Sequence, residues 1–281
     1  MSKIKNNIRI VLSLTLILII LSCSKKETPA QELRKIDISL LKERNGLMYE
    51  AANPVPFTGV GQKYSQDSVL YLEKTFKSGL LEGKTIYYWP NGKKKFDVEF
   101  SQGKKHGESA EWNEQGILVT MERYKNGNPD GLQEAWYQDG KPQFKSNLRE
   151  GKRDGINEAW YENGQKRFEE KWDNGKKNGV RKYWYDNGQI EGEGSFNNDF
   201  VDGKITGWFK NGNKMYEGIY LNGKMNGAFY NWYENGSLKS EENFKDDVKH
   251  GKFIYRDKDG KLIKEEYYEN GSLIPKSSFA G

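Results

Sequence analysis

The chain has 281 residues, 45 of them Lys or Arg and 40 Asp or Glu, and aromatic residues make up 14% of it. A mean hydropathy of −0.94 leaves too little aliphatic material for a conventional two-layer core. A single cysteine, Cys23, excludes an intramolecular disulfide.

The N-terminus carries Lys3, Lys5 and Arg9, then a short apolar run from Ile10 to Leu21, then Ser22 and Cys23. A basic start and a short apolar core describe a secretory signal peptide, because a spanning helix needs about 20 apolar residues. Ile20-Leu21-Ser22-Cys23 resembles the bacterial lipobox, which implies cleavage before Cys23 and lipidation of that cysteine, palmitate included. Residues 1–22 therefore read as a lipoprotein signal peptide and 23–31 as the lipidated cysteine with a flexible polar tether. Lipoproteins with Ser rather than Asp after the cysteine resemble those sorted to an outer membrane. The expected location is thus the bacterial cell envelope, lipid-anchored. Cleavage before Cys23 removes Lys3, Lys5 and Arg9 with no acidic residue and lowers the formal charge from +5 to +2, so nucleic-acid binding loses its main support.

Residues 32–56 read as an N-terminal cap of the kind that repeat arrays require. From residue 57 to 274 the chain is periodic, with glycine at 92, 116, 140, 164, 188, 212, 236 and 260 and no insertion between them. Asn-Gly or Asp-Gly fills all but one of these sites, which predicts type I′ hairpin turns. A second turn signal follows half a repeat later, at Gln102-Gly103, Asn126-Gly127, Glu150-Gly151, Asn174-Gly175 and Asn222-Gly223. Two turns per repeat leave two strands of roughly five to seven residues each. The expected fold is all-β: an elongated antiparallel β-hairpin meander of about nine repeats, forming a single-layer twisted sheet. Asp199 and Asp247, at glycine positions, and Ser68 in the first repeat predict irregular turns. Pro275 replaces the repeat's glycine and begins a C-terminal tail, 275–281.

Stacking the repeats sets Tyr88, Trp112, Trp136, Trp160, Trp184, Trp208 and Trp232 in one column and Phe76, Phe100, Tyr124, Leu148, Trp172, Phe196, Tyr220 and Phe244 in another. These are the expected packing residues. Next to the tryptophans runs Trp89, Tyr137, Tyr161, Tyr185, Phe209 and Tyr233. Successive strand residues point to opposite faces, so the row from Tyr137 to Tyr233 is either a ligand-binding platform or is partly buried by curling of the sheet.

The blocks Trp-Tyr-x-Asn-Gly-x-Lys and Asn-Gly-Lys-x-x-Gly, as at 160–166 and 174–179, resemble variant MORN repeats of bacterial exported lipoproteins. Such relatives are often catalogued as antitoxin-like, and eukaryotic MORN arrays are associated with membrane junctions, phospholipid contact and scaffolding. The resemblance implies a fold more strongly than an activity.

Catalytic signals are weak. Gly79 to Thr85 has one residue too few between its glycines for a phosphate-binding loop. His106 and His250 share a repeat position six units apart, read as solvated turn residues, and cannot share a metal. Glu169, Glu193, Glu217, Glu241 and Glu265 form a column that reads as a solvated face. The expectation is a non-enzymatic protein with no cofactor and no metal site, held at a membrane through Cys23. It would bind an unidentified protein or polymer in or outside the envelope, its oligomeric state open. The alternative, implied by the resemblance alone, is an antitoxin-like or immunity protein that captures one toxin.

Overall fold

The structure, a computed structural model, describes residues 32–278. The expected signal peptide, Cys23 and the tether up to residue 31 lie outside the described residues, as do 279–281. The described chain forms one 24-stranded sheet and a separate two-stranded hairpin. Successive hairpin arms pair antiparallel, from Gly59–Tyr64 and Leu70–Lys77 through to Leu262–Glu269 and Ser272–Ile274, and some arms are split in two, as Asn128–Pro129 and Gly131–Trp136, which both pair with Leu118–Lys125. Strands of the regular repeats reach 8 or 9 residues, longer than the sequence spacing suggests, because the ladders run up to the turns.

At the N-terminal edge Lys35–Asp37 pairs with Gly59–Tyr64 in parallel, which makes the sheet mixed there. Leu41–Arg44 and Leu47–Glu50 form the separate hairpin. Leu41, Phe57 and Phe76 are buried together, with Ile36, Ile38, Met48 and Leu81 packed around them. This cluster covers an edge that would otherwise offer unpaired backbone groups.

The type I′ turns lie in the second register and not in the first, where they are expected. At Gly92 and its equivalents the turn is not type I′: Asn91 has no positive φ, and only Gly92 does, at 78°. Gly92 N–H donates to Trp89 O and Trp89 N–H to Lys93 O, and the ladder slips by one residue at Tyr87/Tyr88. That is a type I turn closed by a G1 bulge. Pro90 carries the signal in the sequence, since its fixed φ suits the first central position of a type I turn. True type I′ turns occupy the second register, where both residues have positive φ, as at Gln102 (49°) and Gly103 (76°) between the paired Ser101 and Lys104.

The expected irregular turns are regular. Asn198-Asp199 and Asp246-Asp247 adopt the same two positive φ angles between paired flanking residues, and Ser68, at φ 59°, closes the same turn as the bulge glycines. Short polar side chains tolerate the left-handed region at a cost of about 1–2 kcal/mol.

Both aromatic columns are mostly half-buried, and they lie on opposite faces of the sheet. In the Phe and Tyr column each ring sits directly opposite a glycine of the neighbouring strand: Phe76 opposite Gly59, Phe100 opposite Gly83, Tyr124 opposite Gly107, Trp172 opposite Gly155 and Phe196 opposite Gly179. The ring covers backbone that the glycine leaves bare. Between this column and the far ends of the strands runs the most buried row, which the sequence reading does not identify. It contains Thr85, Val98, Ser109, Ser146, Asn157, Glu170 and Phe253, each at most 5% exposed. A thin sheet buries small side chains in its midline more readily than large rings at its margins. Where the midline residue grows, its partner shrinks: Ile205 pairs with Gly194 and with Gly218, and a Cβ on Gly218 would overlap the Phe229 ring.

Candidate functional site

The row of rings expected as a binding platform lies at the rim of the sheet. Tyr137, Tyr161, Tyr185, Phe209 and Tyr233 each follow the last residue of a strand and open a bulged turn, so strand alternation does not place them on a face. Each tyrosine hydroxyl donates to a backbone carbonyl 23 residues on: Tyr137 to Trp160 O (2.7 Å), Tyr161 to Trp184 O (2.9 Å), Tyr185 to Trp208 O (2.8 Å) and Tyr233 to Arg256 O (2.9 Å). In the same position Trp89 Nε1–H donates to Trp112 O. Phe209 holds the position without a hydroxyl. All these rings remain half-exposed. Burial raises the pKa of the Tyr185 phenol.

The asparagine of each bulged turn acts on the same rim. Asn163 Oδ1 accepts from Gln165 N–H within its own turn, and Asn163 Nδ2–H donates to Asp186 O of the next repeat at 2.6 Å. Asn91, Asn187, Asn211 and Asn235 repeat that bridge. Asp139 has no amide to donate, and Lys141 Nζ reaches Glu162 O instead. Asparagine is therefore chosen as a two-sided link between repeats.

The opposite rim is laced by backbone: Gly103 N–H donates to Leu81 O, Gly127 N–H to Lys105 O and Gly175 N–H to Arg153 O. A side chain reinforces several of these links, as where Glu82 accepts from Gln102 N–H and Asp130 from Glu150 N–H. His106 belongs to this set, its Nδ1 lying 3.4 Å from Asn126 N, so it is a turn staple and not only a solvated side chain. His250 has the equivalent place with Nδ1 buried.

Three of the five glutamates in the column carry ion pairs. Glu169 pairs with Lys166, Glu217 with Lys204 and Lys214, and Glu265 with Lys252 and Lys276. The Tyr267 hydroxyl and Lys276 hold the Glu265 carboxyl down at about 2. Among the described residues no group of three or more His, Cys, Asp or Glu is arranged to hold a metal ion, and no helix is long and apolar enough to cross a membrane.

One break in the periodicity is buried. Ser146 Oγ–H donates to Asn157 Oδ1 at 2.6 Å, Trp172 Nε1–H to Glu170 Oε1 at 2.8 Å, and Arg181 Nε lies 3.0 Å from Glu170 Oε2 without the alignment of a hydrogen bond. Burial lowers the Arg181 pKa. The same positions hold Ile205, Phe229 and Phe253 or Gly194 and Gly218 in later repeats, but Thr85, Ser109 and Glu122 in earlier ones and Glu242 and Glu266 towards the end.

Hairpins repeated in one register and tied rim to rim define a β-hairpin repeat protein. Five segments match the family model of the MORN repeat variant: residues 81–102, 153–174, 177–198, 225–246 and 249–270. These five segments are variant MORN repeats. Each match starts two residues after one type I′ turn and ends on the first residue of the next, so the family unit and the structural hairpin coincide. No curated protein matches the sequence. Among solved structures, an alternansucrase in complex with isomaltononaose is similar over 83% of this chain at 17% identity, with a TM-score of 0.21. The chain spans 18% of that protein's length.

Proposed function

We propose that this protein is a non-enzymatic binding scaffold, tethered to an envelope membrane by lipid on Cys23, that engages a macromolecule along its repeated surface. MORN repeats suit a repeat scaffold or binding protein, and the observation that carries the reading to a surface is the ring row. Tyr137, Tyr161, Tyr185 and Tyr233 are each fixed by one hydroxyl bond at the same offset while the ring stays half-exposed. Rigid amphipathic rings held in place before binding lose little entropy when a partner arrives. Repetition at about 10 Å, two strands per repeat, lets weak contacts add up along one partner.

The test separates ring from clamp. Envelope components are captured on the wild-type protein, on the Tyr137→Phe, Tyr161→Phe, Tyr185→Phe, Tyr233→Phe variant and on the matching serine variant, each checked for folding by circular dichroism. Capture retained by phenylalanine and lost by folded serine protein supports the ring row. Equal capture by all three removes it. A single partner bound one to one, protecting one repeat only, favours the antitoxin-like alternative.

A further inference from the structure

The rim opposite the tyrosines carries an uneven charge that the whole-chain balance hides. Its successive type I′ turns at 101–106, 125–130, 149–154 and 173–178 hold eight basic and four acidic residues, whereas those at 197–202, 221–226 and 245–250 hold three basic and four acidic. The basic residues are Lys104, Lys105, Lys125, Arg149, Lys152, Arg153, Lys176 and Lys177. Elsewhere in the array lysines are commonly spent on carboxylates, as Lys166 and Lys214 are. Here, among the described residues, Arg149 pairs with Asp154 and Arg153 approaches Glu170 at 3.9 Å, but the ammonium groups of the six lysines form no ion pair.

Their placement is specific. Lys104–Lys105, Lys152–Arg153 and Lys176–Lys177 are consecutive strand residues, so each pair sends one cation to each face of the sheet. The second member stacks on a ring: Lys105 over Tyr124 (4.6 Å), Arg153 over Trp172 (5.0 Å) and Lys177 between Trp172 and Phe196 (5.6 Å from each). The stems of Lys104 and Lys152 run along the rim, over Gly127 and Gly175 of the next turn. Lys104, Lys125, Arg149, Lys152, Arg153 and Lys176 are all exposed.

We infer that the basic stretch of this rim, from the turn at 101–106 to the turn at 173–178, is a docking track for a linear anionic polysaccharide bearing about one acidic group per disaccharide. The inference rests on the scaffold reading and names its partner class on a different surface from the ring row. Cations on both faces of one edge straddle a thin chain, whereas a flat membrane meets only one face. The turns recur at about 10 Å, with paired cations at the first, third and fourth and Lys125 alone at the second, which suits widely spaced acids. Duplex DNA presents a phosphate every 3.4 Å or so per strand, too dense for the ladder. Rings beneath the cations supply flat surfaces on which sugars stack.

The full-length protein is titrated with hyaluronan oligosaccharides, which carry one carboxylate per disaccharide, beside neutral dextran, single-stranded oligothymidylate and phosphatidylglycerol vesicles. Hyaluronan is expected to bind at low salt, to weaken as salt rises, and to lose affinity on the order of tenfold in Lys104→Ala, Lys152→Ala, Lys176→Ala. Lys224→Ala, Lys245→Ala, Lys258→Ala, with the same loss of charge away from the track, is expected to bind as wild type. No hyaluronan binding, equal loss in both triple variants, or tighter rim-dependent binding of oligothymidylate or vesicles overturns the inference. If hyaluronan is ignored while ring-row capture persists, the track falls and the scaffold reading stands. If rim-dependent binding persists while ring-row capture fails, the track stands and the ring row falls.

Discussion

Phe229 lies on Gly218: the ring of one strand fills the space a side chain on its neighbour would need, and a Cβ at Gly218 would overlap it. Gly218 has no positive φ, so the glycine is there for room and not for a turn. Gly218→Ala is therefore expected to destabilise by about 1–3 kcal/mol, the usual range for overpacking. In a Phe229→Leu background the same change is expected to cost much less. Urea melts of the two single variants and the double variant measure the coupling, and simple additivity would refute the overlap.

The tyrosine clamps are worth testing one at a time. Tyr161→Phe keeps the ring and leaves Trp184 O without its donor. A loss of about 1 kcal/mol is expected. Tyr137→Phe is expected to cost a similar amount, and the pair to add, since the two hydroxyls share no partner. Differential scanning calorimetry of the three proteins checks this.

Asn163→Asp preserves the acceptor within the turn and removes the donor to Asp186 O, placing a negative charge beside that carbonyl. It is expected to lower stability by about 1 kcal/mol. Asp139→Asn, the reverse change at the equivalent turn, is expected to be neutral or stabilising, with loss of the Lys141 ion pair weighed against a new bridge. Thermal midpoints that rank the other way would show that the inter-repeat amide bond contributes nothing.

Glu170 is 5% exposed and its partners are Trp172, Arg181 and Arg153. Glu170→Leu alone strands the half-buried Arg181 guanidinium and is expected to cost roughly 3–5 kcal/mol. Glu170→Leu with Arg181→Leu is expected to recover most of that loss. Denaturant unfolding decides it, and a double variant as unstable as Glu170→Leu would show that the pair is not the source of the penalty.

Burial, then hydrogen bonding to Glu122, pushes the Tyr124 phenol up to about 12, and burial with Glu242 and Glu266 nearby does the same for Tyr255. An unfolded phenol titrates near 10. The folded chain therefore holds these protons longer than the unfolded one. The stability they contribute is fully present below about pH 10 and is lost as pH rises towards 12. Unfolding free energies across that window are expected to fall with pH, and less steeply in Tyr124→Phe. A flat profile would contradict the shifts.

The repeat length, the hairpin meander and the positions of both turn registers were legible in the sequence, because glycines and Asn-Gly pairs report local backbone geometry. The class of each turn was not fully legible. Asn-Gly suits a type I′ pair, but it also suits the end of a type I turn, and the choice depends on hydrogen bonds that cross the turn. Pro90 was the available sign. Which tyrosines are clamps was hidden for a related reason: Tyr161 leaves the strand at the residue where alternation stops applying, and its acceptor lies 23 residues away.

The sequence by itself determined the period, the antiparallel order and the aromatic content, since each follows from short-range backbone preference and spacing. Only the tertiary structure decided what each column does. Burial depends on what stacks above and beside a residue, so small side chains such as Ser109 and Asn157 fill the midline while tryptophans stay half-exposed. Asn163 became a link between repeats, and the Lys104 stem came to lie over Gly127, because residues about one repeat apart in sequence meet only when one hairpin is laid against the next.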